Sequence, residues 1–192
     1  MENAGAACAR LLAERTLRRS RILVIAGAGN NGGDAYAAAR HLHILGHRVR
    51  VLRLIRPGSD RPDARLQHRI LLRMGITVRA MPSGRELSAE MRRADWIVDG
   101  LYGTGLSRPP SGRSAEAIRR MNASGRPVLA IDVPSGLDAD TGSPVGSPDL
   151  AVRARLTATL AAPKQGLPKR RAQPYVGRLV TVDIGLPREL LG

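Results

Sequence analysis

Short, uninterrupted apolar runs along the chain alternate with longer stretches in which apolar residues recur every three or four positions. Runs of strand length occupy 21–26, 48–55, 76–80, 95–99 and 127–131, with two more near 155–162 and 176–184. Between them the spacing predicts helices over 2–18, from about 34 to 45 with Gly46 as its stop, over 64–74 ended by Gly75, and over 113–123. Residues 85–93 also read as helical, and 57–63 as a loop. In the first helix Ala6, Ala7, Leu11 and Leu12 share one side. Strands that are apolar throughout and separated by helices form a parallel sheet covered on both faces, so the expected fold class is α/β with a mostly parallel sheet. Ligands in such folds sit beyond the carboxyl ends of the strands. The unusual loops at 27–34, 99–110 and 132–142 each follow a strand, which predicts that all three gather at one edge.

Composition narrows the class without naming a function. The 192 residues are 43% hydrophobic and 24% charged, an ordinary globular balance that excludes wholesale disorder, and the length favours one domain spanning 1–192. No apolar run approaches the ~18 residues of a membrane helix, and no leader with an apolar core opens the chain. A soluble, cytoplasmic protein with no membrane partner is therefore expected. The single cysteine, Cys8, excludes an internal disulfide framework and any multi-cysteine zinc site, and reads as a small buried residue of the first helix.

Charge complicates this picture. Thirty-one basic residues against 16 acidic ones give +15, a balance that raises the question of a nucleic-acid partner. All the basic residues except Lys164 and Lys169 are arginine, however, and they are spread along the whole chain. Phe is absent and aromatics make up 2%, so the stacking platforms of single-strand binders are missing. The excess reads mainly as an arginine bias, and attraction of anionic small molecules is its simpler consequence.

Three segments carry candidate chemistry. In Gly27-Ala-Gly-Asn-Asn-Gly-Gly-Asp34, glycines 27, 29 and 32 satisfy G-x-G-x-x-G directly after a strand and before a helix, a context that holds phosphate. The ribose-binding acid expected about 20 residues on is missing; Arg53 and Arg56 stand there, and either could meet a 2′-phosphate. The plain alternative is a tight turn with Asp34 as a helix cap, although two adjacent asparagines in a chain of four exceed what a turn needs. In Asp99-Gly-Leu-Tyr-Gly-Thr-Gly-Leu-Ser-Arg-Pro-Pro110, an acid at a strand end precedes a glycine-flanked Thr104 with free backbone donors; Asp99 as a mere strand cap is the alternative. In Asp132-Val-Pro-Ser-Gly-Leu-Asp-Ala-Asp-Thr-Gly142, Asp132 leaves an apolar strand into a Pro-fixed turn. It is placed either for general acid–base work or as a turn acid. Asp138 and Asp140 read as turn-formers. Lys164, one of two lysines in an arginine-rich chain, ends a further apolar strand, which hints that a compact cation is wanted. Histidines 41, 43, 47 and 68 lie away from these loops and carry no metal or triad pattern.

Taken together, the three segments, with MENAG at 1–5 and AAPKQG at 161–166, closely resemble the NAD(P)H-hydrate epimerase family, the YjeF N-terminal domain, over essentially the whole chain. The resemblance implies a three-layer, Rossmann-like α/β/α domain, usually a homodimer. It implies an isomerase that interconverts the R and S epimers of hydrated NADH and NADPH and so supplies a separate dehydratase in cofactor repair. By that resemblance Asn30, Asn31, Gly32, Gly33 and Asp34 contact the hydrate, as do Gly103, Thr104, Gly105, Leu106, Ser107, Arg108, Pro109 and Asp132. Asn31, Asp99 and Ser135 hold one potassium ion per subunit, an all-oxygen set that suits a hard cation. Asp132 is the expected acid–base residue and Lys164 a secondary catalytic candidate.

Two other readings stay open. A non-catalytic nucleotide- or RNA-binding scaffold of the same fold suits the charge, and an NADP-dependent oxidoreductase suits the glycine motif. Family members usually carry a further helix before the MENAG segment. If that helix covers apolar surface on the 2–18 helix, part of Leu11, Leu12 or their neighbours is expected to lie exposed and to promote dimerisation or lower stability.

Overall fold

A computed structural model describes residues 1–54, 61–187 and 189. Seven strands form one sheet: β1 (Arg21–Ala26), β2 (Arg48–Arg53), β3 (Thr77–Ala80), β4 (Trp96–Gly100), β5 (Val128–Ile131), β6 (Leu156–Leu160) and β7 (Arg178–Val182). Their order is β3-β2-β1-β4-β5-β6-β7 and every pairing is parallel. The helices are α1 (Glu2–Ala13), α2 (Asn30–Ile44), α3 (Pro62–Arg73), α4 (Gly84–Arg93), α5 (Gly112–Ala123) and a short α6 (Gln173–Val176).

Strand β1 shows why the sheet is covered twice. Ile22, Val24 and Ala26 pack with residues of α1, α2 and α3, while Leu23 and Ile25 pack with Leu87 and Met91 of α4 and with Ile118 and Met121 of α5. The alternation of a strand's side chains sends successive apolar residues into two separate cores, so β1 has no polar face. The expected three-layer α/β/α architecture is what results, and the sheet is parallel throughout the described residues.

Most element boundaries agree with the sequence pattern to within two residues; two departures have physical causes. Helix α1 stops at Ala13 rather than near 18, and the chain turns there, with Arg19 in the left-handed region at φ 61. Helix α2 begins at Asn30, four residues before the expected start, so the asparagines and glycines of the first motif form its opening turns. Glycine is a weak helix former, and tertiary packing rather than propensity decides here. Most of the loop expected at 57–63 lies outside the described residues.

The expectation of exposed apolar surface on the 2–18 segment fails for Leu11 and Leu12 and holds for Leu17, which is 83% exposed beyond the end of α1. Leu11 is 7% exposed and Leu12 fully buried, because α1 lies along α2 and both join the core beneath the sheet. Among the described residues no helix is long and apolar enough to cross a membrane.

The α1–α2 contact is close enough to make one substitution diagnostic. A Cβ on Gly5 would lie 2.6 Å from the backbone nitrogen of Ala38 and would overlap the Ala37 side chain. Gly5→Ala gains up to about 1 kcal/mol in helix propensity, but must lift α1 from the backbone of α2, an overpacking cost of about 1–3 kcal/mol or more. The expected result is net destabilisation, read as a fall of several degrees in melting temperature by calorimetry. An unchanged or higher value would contradict the packing described here.

Candidate active site

The sheet order reverses between β1 and β4, and β5 lies next to β4, so three neighbouring strands deliver their carboxyl ends to one place. Such a switch point leaves a crevice outside the sheet. The first loop is drawn tight across it. The Gly27 N–H donates to the Gly100 carbonyl at 3.0 Å, joining the exit of β1 to that of β4. A side chain on Gly27 would overlap the Leu101 carbonyl, and one on Gly32 would overlap the carbonyl of Gly27. These two glycines are steric requirements. Gly29 is the N-cap position of α2, with extended backbone and open space around its Cα, so the G-x-G-x-x-G pattern overstates its role. Asp34 does not cap the helix; it lies inside α2, five residues beyond that position.

Asp99, at the end of β4, is fully buried. Its Oδ1 accepts from the Ser135 hydroxyl at 2.6 Å and from the Leu101 N–H at 3.2 Å, and its Oδ2 accepts from the Ser135 N–H at 2.8 Å. Burial pushes this carboxyl up to about 6 against the opposing pull of those hydrogen bonds. Ser135 in turn accepts from the Tyr102 N–H at 2.9 Å, and the Tyr102 carbonyl accepts from Asn31 Nδ2 at 2.8 Å. Asn31, Tyr102, Ser135 and Asp99 thus form one chain of contacts across all three loops. The Oδ1 of Asn31 is buried and has no hydrogen-bond partner. An orphaned amide oxygen beside a buried carboxylate and a hydroxyl is a donor set that fits a hard monovalent cation.

Asp132 follows β5 in the left-handed region, at φ 67. A non-glycine residue there costs on the order of 1–3 kcal/mol and persists only where its surroundings hold it. Those surroundings are defined. The Asp132 N–H donates to the Ala158 carbonyl at 2.8 Å, and Asp132 Oδ1 accepts from the Leu160 N–H at 3.3 Å. Lys164 Nζ lies 2.8 Å from the same Oδ1 and also donates to the carbonyls of Leu160 at 2.7 Å and Ala162 at 3.2 Å. Oδ1 is therefore tied down, whereas Oδ2 has no partner among the described residues and faces Gly103, whose hypothetical Cβ would be 3.4 Å away.

Asp34 projects from α2 into the same region. Burial pushes its carboxyl up to about 6; the terminal ammonium of Met1, 3.6 Å away, opposes the rise, and the charge of Asp132 adds to it. Gly32 and Gly33 are buried beside it, while Asn30 is exposed at the helix start. In the second loop Gly103 and Leu106 are half-buried, and Thr104, Gly105, Ser107, Arg108 and Pro109 stand exposed at the rim. The contacts thus bring Asn31, Asp99, Gly103, Asp132, Ser135 and Lys164 together at this edge, while no contact among the described residues ties Asn30 or residues 104–109 to them. Asp138 is a turn-former as expected, accepting from the backbone of Asp140 and Thr141. His41 pairs with Glu2, away from the site, and burial pushes the thiol of Cys8 far above its ordinary range. Arg53 lies buried at the end of β2, and Arg56 is outside the described residues. The residues missed from sequence are those acting through backbone: Leu101, Tyr102 and Leu160, whose side-chain types carry no signal.

Known proteins are similar to this chain over most of its length. The family model described as "YjeF-related protein N-terminus" matches residues 1–166. A bifunctional NAD(P)H-hydrate repair enzyme Nnr from Pyrobaculum aerophilum is 46% identical over 193 residues; the alignment covers 98% of this chain but 38% of that protein. An NAD(P)H-hydrate epimerase from Rhodopirellula baltica is 37% identical, with 100% of this chain and 76% of that protein covered. The chain thus spans under two-fifths of the bifunctional relative and about three-quarters of the single-function one. The yeast crystal structure of ynu0, YNL200c, superposes with a TM-score of 0.80 over 98% of this chain and 79% of that one, at 22% identity, which shows a shared fold. By the extent of these matches, the chain belongs to the YjeF-related N-terminal family.

Proposed function

We propose that the protein is an NAD(P)H-hydrate epimerase, an isomerase that interconverts the R and S forms of hydrated NADH and NADPH. The observation that carries the reading is Asp132: a strand-end carboxylate with one oxygen fixed by Lys164 and the other directed, unpartnered, at the Gly103 loop. The hydrate bears its hydroxyl on a ring carbon adjacent to the ring nitrogen. Oδ2 of Asp132, when protonated, gives its proton to that hydroxyl as the nitrogen lone pair expels it as water. Water then adds to the opposite face of the cationic ring, and the carboxylate takes up the released proton. The balance is one water out and one water in, with no hydride transfer. Lys164 keeps the carboxylate in its strained position, acting on the reaction through Asp132.

The first turns of α2 and residues 103–109 supply binding. Backbone N–H groups at a helix start favour the pyrophosphate, and Arg108 at the rim adds a cation within the second loop. Potassium, held by Asn31, Asp99 and Ser135, would supply a fixed positive charge to the anionic substrate. The protein is further proposed to work in the cytoplasm, as a homodimer, beside a dehydratase that consumes the S form.

Asp132→Asn keeps the shape of the side chain and removes proton transfer, a contribution of typically 10²–10⁴-fold. Incubation of one purified epimer, followed by NMR, is expected to show interconversion by the native protein and at least a hundredfold less by the variant at similar melting temperature. Near-normal turnover would remove Asp132 from the reaction.

Potassium has a readout that does not depend on activity. A cation that binds the folded state alone, at about a hundred times its dissociation constant, stabilises by about 2.7 kcal/mol. Potassium is expected to raise the melting temperature of the native protein more than sodium at equal ionic strength. Asn31→Ala should remove that difference. An equal rise in the variant would refute the assignment of Asn31 as a ligand.

A further inference from the structure

The opposite edge of the sheet carries a second feature that the proposed reaction does not use. Two adjoining cavities, of about 580 and 600 Å³, lie beneath the amino ends of β4 to β7 and share Trp96, Ala154 and Arg155. Both volumes are in the ordinary range of small-molecule sites. Arg126 and Arg153 line the first, and Arg178 and Arg15, the latter paired with Glu14, the second, with Pro127, Val128 and Leu156 as apolar wall; no carboxylate lines either among the described residues.

Neighbouring acids are already occupied. Asp95, next to Trp96, accepts from the Arg21 guanidinium at 2.9 Å and the Arg21 N–H at 2.8 Å, and Glu14 pairs with Arg15 at 3.0 Å. Arg126 donates to the Arg92 carbonyl at 2.7 Å, while Arg153, Arg155 and Arg178 have no side-chain partner among the described residues. The carboxyl ends of α1, α4 and α5 point to this edge, each equivalent to roughly half a negative charge. Four guanidiniums against that opposing charge leave a surplus of roughly two to three. The backbone beneath them is rigid: the Arg155 N–H donates to Val128 at 2.9 Å, the Arg178 N–H to Arg155 at 3.1 Å, and the Arg153 N–H to Asn122 Oδ1 at 2.8 Å. The one tryptophan of the chain stands between the cavities.

We propose that this trough is a second ligand site, for a nucleoside triphosphate: the arginines engage the phosphates, and Trp96 offers its face to the base. Guanidiniums match phosphate oxygens bidentately, and base–aromatic stacking accounts for a tryptophan in a chain nearly free of aromatics. The site is separate from Asp132, which lies four residues beyond Val128, roughly 13 Å along the strand at about 3.3 Å per residue.

Because Trp96 is the only tryptophan, its fluorescence reports on this edge alone. Titration of the full chain with ATP is expected to quench it saturably. Inorganic triphosphate should bind at least fivefold more weakly, for want of a base. Arg155→Ala and Arg153→Ala should each weaken ATP at least tenfold while epimerisation and melting temperature stay near native. Arg69→Ala, an equal loss of charge on the exposed face of α3, should change affinity less than twofold. Three results would overturn the proposal: no saturable quenching up to millimolar ATP; equal losses in the Arg69 and Arg155 variants, which would mean bulk charge attraction; or displacement of ATP by a lower concentration of single-stranded oligoadenylate, which would make the trough a nucleic-acid surface.

Discussion

Everything at the candidate site depends on how the buried carboxylate of Asp99 is satisfied. A carboxylate removed from water needs donors, and here they come from other loops: Leu101 beyond β4, and both the backbone and hydroxyl of Ser135 beyond β5. Ser135 is three residues from Asp132, so the bond that stabilises Asp99 also fixes where the second aspartate can stand. Through Tyr102 the same network reaches Asn31 on α2. Removing the Ser135 hydroxyl would therefore disturb three loops together.

The two acids are held by opposite means. Asp99 relies on neutral donors, which offset only part of the effect of complete burial, so that its carboxyl is pushed up to about 6. Asp132 relies on an ammonium. Three acceptors, one Asp132 oxygen and the Leu160 and Ala162 carbonyls, converge on Lys164 Nζ, an arrangement that suits a compact three-donor cation and not a planar guanidinium. This explains a lysine at 164 in a chain that otherwise uses arginine.

Strands β1, β4 and β5 were legible because they are apolar on both faces, and helices α2 and α3 because their apolar spacing ends at Gly46 and Gly75. The start of α2 was not, since Asn-Asn-Gly-Gly reads as loop by propensity and becomes helix only when Gly32 packs on Gly27. At the site, Asp99, Asp132, Ser135 and Asn31 could be picked out as strand-end or loop polar residues, and Lys164 by its rarity. Their connection through Tyr102 could not, because any residue type offers the same backbone N–H and carbonyl. The burial of Leu11 and Leu12 was equally hidden, as it depends on the close approach of α1 to α2 that Gly5 permits.

The central claim is that Asp132 drives loss and re-addition of the hydroxyl at a single ring carbon. It is tested most directly by running the reaction on one purified epimer in ¹⁸O-labelled water and weighing the opposite epimer by mass spectrometry, with the spontaneous exchange subtracted. The account predicts one solvent oxygen in each molecule of the new epimer, with hydrogen at that carbon retained. New epimer that keeps its original oxygen would contradict it.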